Sequence, residues 1–257
     1  MLKRKSNTKI LLFDIETAPN LGYVWGMWEQ DVIEFKSHWY ILCFAAKWLD
    51  GKNIITRSLP DSSLYKKDKE NDFYVVSELW KMLDEADIVI AHNGDAFDIK
   101  KANARFAVHG IKPPSPYRSV DTLKIARRYF KFDSNRLDDL GEILDLGRKL
   151  HTGGFKTWKG CMSGDTKAWK NMVKYNKQDV VLLEKVYLAL RPWMTNHPNI
   201  NILDEKIDAC PSCGSYDIHK RGFTFTATNK YQRTQCKSCG KWSRCRKPEK
   251  IPTQTII

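Results

Sequence analysis

The hydrophobic pattern of the chain begins with a short apolar run, Lys9 to Thr17, which is interrupted by Asp14 and Glu16 and closed by Ala18-Pro19-Asn20. This is the pattern of a buried strand whose end faces a site. Further strands are expected over Ile41–Trp48 and Asn53–Leu59, with the hairpin-type turn Asp50-Gly51 between them. A charged loop, Lys66–Asn71, leads to helical spacing over Val76–Ala86, with Leu79, Trp80 and Leu83 on one face. Asp87–Ala91 reads as the next strand and ends at His92-Asn93-Gly94-Asp95; a helix over Phe97–His109 is stopped by Gly110 and Pro113-Pro114. Ser119–Leu123 is one more short strand that runs into a helix through Tyr129, and Leu137–Leu146 repeats the helical pattern up to Gly147. Gly153–Gly164 reads as a glycine-rich loop. A long helix is expected from Asp165 or Thr166 to Leu190, bearing Trp169, Met172, Val173, Val180, Leu183 and Val186 and ended by Pro192. The predicted order is β-β-β-α-β-α-β-α, an α/β protein without an internal repeat.

At 257 residues and 42% hydrophobic content the chain can bury one substantial core, or one core plus a small satellite. No stretch approaches the roughly 18 uninterrupted apolar residues of a membrane span, and Asp14 and Glu16 break the only signal-peptide-like run, so a cytoplasmic protein without membrane contact is expected. Seven cysteines make a poor disulfide framework, but four fall into two Cys-x-x-Cys pairs, which in a reducing compartment indicates metal binding. The net charge of +13 indicates a polyanionic partner, nucleic acid or an acidic membrane surface, although scattered Lys and Arg also suit an ordinary solvated surface. From Glu205 to Ile257, 11 Lys and Arg stand against 4 acids, so over half of the surplus sits in the last fifth of the chain. His197–Asn201 reads as a linker. Two modules are therefore expected, residues 1–198 and 199–257.

Asp14 and Glu16, two apart on a strand, share one face, where like charges are unfavourable unless a cation lies between them. Carboxylates without histidine suit Mg²⁺ or Mn²⁺ better than zinc. Taken alone the pair is also compatible with a solvated strand end. Asp98 at a helix start is equally a good N-terminal residue, favoured by the helix dipole. Tyr175 and Asp179, four apart on the long helix, present phenol and carboxylate on one side, near Met172, Val180 and Leu183. An inward Asp needs a partner, and a metal would serve; Tyr175 by itself reads as a half-buried aromatic.

Cys210-Pro211-Ser212-Cys213 and Cys236-Lys237-Ser238-Cys239 are separated by 22 residues, and each pair is followed by glycine, Gly214 and Gly240, which eases a turn presenting two thiolates to one ion. One structural Zn²⁺ is expected, with a hairpin over Gly222–Gln235 spanning the gap. Arg221, Lys230, Arg233, Lys241, Arg244 and Arg246 are interleaved with Phe223, Phe225, Tyr231 and Trp242. Cations that meet phosphates and rings that stack on unpaired bases favour single-stranded or frayed nucleic acid, with Arg221 and Arg233 as contacts; some of the rings can instead pack the faces of the hairpin.

Phe13-Asp14-Ile15-Glu16-Thr17, His92-Asn93 through Phe97-Asp98, and Tyr175-Asn176-Lys177-Gln178-Asp179 resemble, in order, the three motifs of the DEDD exonuclease superfamily, the DnaQ-like group with a ribonuclease H-like fold. Tyrosine in the third motif places the resemblance in the DEDDy branch, and Val120-Asp121-Thr122-Leu123-Lys124-Ile125-Ala126-Arg127 resembles the family segment between motifs two and three. The likeness covers about residues 9 to 193 and is to a free-standing exonuclease of the polymerase-B proofreading type, such as phages and bacteria carry. The cysteine-bearing tail resembles a zinc ribbon. The resemblance implies a ribonuclease H-like mixed sheet flanked by helices and a two-metal (Mg²⁺ or Mn²⁺) hydrolysis. In it Asp14 bridges both ions, Glu16, Asp98 and Asp179 complete the ligand sets, and Tyr175 orients the attacking water. Nucleoside 5′-monophosphates would leave from a 3′ end. Asn93 and Phe97 would line the terminal-nucleotide pocket, Asn93 being equally readable as a turn residue, and Asp95 and Asp121 are nearby spare acids. DNA is the favoured substrate, replication or repair the setting; an exoribonuclease and a non-catalytic zinc-ribbon nucleic-acid-binding protein are the alternatives.

Overall fold

A computed structural model describes residues 8–28, 31–205 and 207–249. Two compact units divide within one helix, between Val186 and Tyr187; the first runs from Lys9 to Val186, and the second takes Thr8 together with the chain from Tyr187 onward.

The first unit is built on a five-stranded mixed sheet formed by β1 (Ile10–Thr17), β4 (Ile41–Trp48), β5 (Ile55–Ser58), β6 (Ile88–Ala91) and β7 (Arg118–Asp121), in the order β5-β4-β1-β6-β7. β4 runs antiparallel to both β1 and β5, while β6 is parallel to β1 and β7 is parallel to β6. Central strands covered on both faces need near-continuous apolar runs. Leu11, Leu12 and Phe13 of β1, Ile41 to Ala46 of β4 and Ile88 to Ala91 of β6 are accordingly buried. The flanking helices are α1 (Phe73–Glu85), α2 (Asp98–Val108), α3 (Thr122–Tyr129), α4 (Leu137–Ile143), α5 (Phe155–Ser163) and α6 (Thr166–Leu190). α1 buries Val75, Val76, Leu79, Met82 and Leu83, the stripe its spacing predicts. On α6, Met172, Val180, Leu183 and Val186 are buried at similar helical intervals.

Two segments depart from the pattern. Gly153–Gly164, expected as a loop, contains α5. Gly153 and Gly154 supply the positive-φ entry (79° and 66°) and Gly164 the left-handed C-terminal turn (92°). Gly160 inside the helix lets it approach α6, because a Cβ there would lie 2.6 Å from Cβ of Ala168. The glycines punctuate and pack a helix rather than loosen a loop. The second departure is the stretch after Thr17, where β2 (Leu21–Tyr23) and β3 (Glu34–Ser37) form an antiparallel hairpin of their own.

In the second unit, β8 (Ile218–Phe225), β9 (Lys230–Cys236) and β10 (Trp242–Arg244) form an antiparallel sheet in the order β10-β9-β8. A register shift between Lys220 and Phe223 accommodates Gly222 at φ 64°. The expected linker at His197–Asn201 is hydrogen-bonded instead. His197 Nε2 lies 2.8 Å from the Tyr187 hydroxyl, and a short helix, α7 (Ile200–Leu203), is capped by the Asn199 side chain. Both Thr8 N–H and its hydroxyl donate to Asp204 at 2.8 Å. Among the described residues no helix is long and apolar enough to cross a membrane.

Candidate active site

Pairing of β1 with β6 stops at Leu12↔Ile90, whereas pairing of β1 with β4 continues through Asp14↔Ala45 and Glu16↔Cys43. The last turn of β1 therefore stands clear of its parallel neighbour, and the alternation of side chains sets Asp14 and Glu16 on the same face there. Small partners on β4, Ala45 and Cys43, leave room beside them. Asp14, Glu16 and Asp179 each offer a carboxylate oxygen within 4.8 Å of the others. Asp98, almost fully buried at the first position of α2, adjoins this trio: its Oδ1 accepts the Ile15 N–H at 3.1 Å. Four acids from β1, α2 and α6 thus meet at one strand end.

Their electrostatics show the strain. Burial, then the charges of Asp98, Glu16 and Asp179, hold the Asp14 carboxyl well above its ordinary range. Burial and the nearby Asp179 push Glu16 up to about 8. Burial brings Asp98 to about 7 even though the Ile15 amide favours its charged form. Asp179 is raised by burial, against which Lys149 acts, and its Oδ1 is buried without a hydrogen-bond partner.

Two residues not singled out from sequence complete the site. Lys149, in the segment between α4 and α5, places its ammonium 2.6 Å from Asp179 Oδ2 and 3.0 Å from the Tyr175 hydroxyl. Burial disfavours that ammonium, but Asp179 and the Tyr175 hydroxyl together outweigh burial and raise its pKa. Burial, then Asp179, raises the Tyr175 phenol as well, so it remains protonated at neutral pH. Asn176 is fully buried and donates from Nδ2 to Asp14 Oδ2 at 2.6 Å, which fixes one rotamer of that carboxylate. Nothing in linear spacing announces Lys149, 30 residues from Asp179; Asn176 stood in plain view beside Tyr175.

The second motif supports the site in a different way. Asn93 sits at φ 65° and its backbone N–H donates to Asp121 Oδ1 at 2.9 Å, which makes it a turn residue at the end of β6. Phe97 is 39% exposed. Asp121 is spent on the amides of Asn93, Asp95, Leu123 and Lys124, and Asp95 pairs with Lys124 at 2.6 Å. Half-buried His92, brought down to about 4 by loss of solvent, is neutral and lies 2.9 Å from the Thr122 hydroxyl.

The cysteine cluster lies in the second unit. Cys210, Cys213, Cys236 and Cys239 bring four sulfurs within 4.8 Å of one another, with Cys210···Cys239 at 3.6 Å and Cys213···Cys236 at 3.7 Å. A tetrahedron of sulfurs about 2.3 Å from a central zinc has edges of about 3.8 Å, so the donor set fits that ion. The two turns match: Gly214 N–H donates to Cys210 O and Gly240 N–H to Cys236 O, at 2.8 and 2.9 Å with both glycines at positive φ. Cys245 lies outside the cluster. On the sheet, Arg233 stacks 4.6 Å and Arg221 5.8 Å from the Trp242 ring, and Arg244 lies 3.9 Å from that of Tyr231. Arg233, Trp242 and Arg244 also line a cleft of about 550 Å³.

A family model of the RNase_H superfamily matches residues 11–191. Among solved structures, the family B DNA polymerase from the hyperthermophilic archaeon Pyrobaculum calidifontis is similar in fold, with a TM-score of 0.52 and 15% identity. The match covers 72% of this chain and 25% of that one, so the chain spans about a quarter of the polymerase. A comparison with curated proteins finds no match. The mixed sheet, the helices around it and the family match over residues 11–191 lead to one assignment: the chain belongs to the RNase H superfamily.

Proposed function

We propose that the chain is a metal-dependent 3′-to-5′ exonuclease of the DEDDy type that acts on DNA with single-stranded or frayed 3′ ends and releases nucleoside 5′-monophosphates. The observation that carries this reading is the convergence of Asp14, Glu16, Asp98 and Asp179 on one strand end beside Tyr175. The raised carboxyls and the unpartnered Oδ1 of Asp179 are the signature of a site with more negative charge than the one ammonium of Lys149 offsets. Asp14, Glu16, Asp98 and Asp179 would hold two Mg²⁺ or Mn²⁺, which when bound stabilise the attacking and leaving oxygens of an in-line displacement.

The chain's own groups do the rest. Tyr175, protonated at neutral pH, orients the attacking water through its hydroxyl rather than removing its proton. Lys149 fixes that hydroxyl and balances Asp179, while Asn176 keeps Asp14 in one rotamer. Phe97 and Asn93 bound the terminal nucleotide. Residues 199–257 form the zinc-ribbon module, with Cys210, Cys213, Cys236 and Cys239 on Zn²⁺, and Arg221 and Arg233 contact the strand; residues 1–198 form the nuclease. The same reading gives it a role in DNA replication or repair and a cytoplasmic location.

The test is a time course on 3′-labelled single-stranded, blunt and recessed DNA beside matched RNA, with Mg²⁺ or Mn²⁺. Shortening from the 3′ end that is lost in Asp14→Ala and Asp179→Ala is expected. Equal activity in those variants would sink the reading, and faster digestion of RNA would make the enzyme an exoribonuclease.

A further inference from the structure

The chain leaves β1 at Thr17 and rejoins the sheet at Ile41, and a hydrogen bond from Ala18 N to Tyr40 O at 2.9 Å closes the base of the excursion. Beyond that base the strands of the β2–β3 hairpin pair through Leu21↔Ser37, Gly22↔Phe35 and Tyr23↔Glu34. The close approach depends on Gly22, where a Cβ would lie 2.5 Å from Cγ1 of Val32 and 2.9 Å from Glu34 O. The arm is therefore a built element, rooted at the strand end that carries Asp14 and Glu16.

Its side chains are the wrong ones for a solvated loop. Trp25 is 89% exposed, Met27 83% and Trp28 78%, and Tyr23, Val24, Ile33 and Phe35 are exposed as well. Isolated exposed hydrophobics are ordinary, but this many large exposed apolar and aromatic side chains within one short hairpin mark a contact surface.

The base of the arm indicates what is contacted. Thr17, Ala18, Asn20 and Trp39 line an open cavity of about 560 Å³ together with Phe155 and Trp158 of α5. Lys101 reaches into the same cavity, 3.6 Å above the Trp39 ring. Trp158 in turn meets Tyr175 edge-on, ring centroids 6.3 Å apart. An aromatic-lined cavity with a cation in it thus meets Tyr175 through Trp158 and the base of the arm through Thr17, Ala18 and Asn20, which suits a strand whose bases stack while its phosphates meet positive charge.

We propose that this arm, residues 18–28 with 31–40, is a wedge that unpairs the 3′ end of a duplex, with Trp25 and Met27 stacking on the terminal bases so that the freed 3′ strand enters the cavity beside Thr17 and Trp158. The inference rests on the nuclease reading for its substrate, and adds a strand-separating activity to it. Apolar side chains inserted between base steps unstack them in just this manner in proteins that kink DNA.

The test uses duplexes with 2-aminopurine in the 3′-terminal pair, whose fluorescence rises when the base unstacks, without added divalent metal and then with Mg²⁺. Wild type should raise the fluorescence, and Trp25→Ser/Met27→Ser should not. With metal, the double variant should lose roughly tenfold or more on paired ends, the effect of one lost stacking partner, and stay within about twofold on single strands. Trp25→Phe, which keeps a ring, should restore paired-end digestion and controls for folding. A double variant that opens the end as wild type does, or loses both substrates alike, overturns the wedge; so does one whose only defect is lost binding to another protein. End opening by a wild type that digests nothing would leave the wedge standing and remove the nuclease reading.

Discussion

A buried carboxylate costs free energy when it ionises without a counter-charge, and four of them share one strand end here. The sign of the pH effect follows from Glu16, raised from 4.5 to about 8 in the fold. Without metal the fold carries no penalty from this group below pH 4.5, and stability falls as pH rises through about 8. Glu16→Gln should therefore raise the melting temperature at pH 8 in the absence of Mg²⁺ and Mn²⁺, leave it unchanged near pH 4.5, and blunt the stabilisation by added Mn²⁺; thermal scans at both pH values decide this. Lys149→Met should lower kcat on the order of 10²-fold while oligonucleotide affinity stays near wild type, because what it removes is an aligned donor rather than a binding surface. Single-turnover rates beside binding isotherms separate the two. Asp14, Glu16 and Asp179 were readable because acids interrupting an apolar run, or inward-facing on a buried helix, contradict their surroundings. Lys149 contradicts nothing locally: a Lys after an Arg in a charged stretch looks like solvated surface until the fold brings it to Asp179.

At the scale of elements, the strands and helices with a clean period were legible, and those whose character rests on contacts were not. β1, β4 and α1 follow their hydrophobic runs. α5 was hidden because glycine suggests a loop, whereas Gly160 is there for its small size against Ala168. The arm was missed because Leu21-Gly22-Tyr23 and Glu34-Phe35-Lys36-Ser37 are too short to show a readable alternation; two same-face residues, Leu21 and Tyr23, do not make a period. α4 offers a measurable instance of close packing. A Cβ on Gly141 would crowd the Gly147 carbonyl and lie 2.8 Å from Cδ1 of Leu182 on α6. Gly141→Ala should thus destabilise by about 1–3 kcal/mol despite the better helix propensity of alanine, read as a lower denaturant midpoint at unchanged slope.

For the whole molecule, the two units differ in charge and in the donor groups they gather. The first has a continuous hydrophobic core around β1 and β4; the second has a three-stranded sheet and four converging thiols. Cys213→Ser should disorder the β8–β10 sheet while the five-stranded sheet stays folded, seen as loss of amide dispersion confined to residues after about 208. In the same assay series, Arg233→Ala should weaken single-strand binding evenly across sequences and reduce the salt slope by about 0.7. The arm has a consequence of another kind. Its ladder to the sheet is already complete at Thr17↔Ile41 and Ala18–Tyr40, and a register shift between Glu16 and Thr17 turns the chain outward there. Everything beyond that closure can lengthen, shorten or change sequence without disturbing the pairing of Asp14 and Glu16 with β4. The protein thus carries an exchangeable attachment one residue from its candidate metal ligands, and relatives with the same acids but a different insertion at this point should differ in the ends they accept and not in the bond they cut.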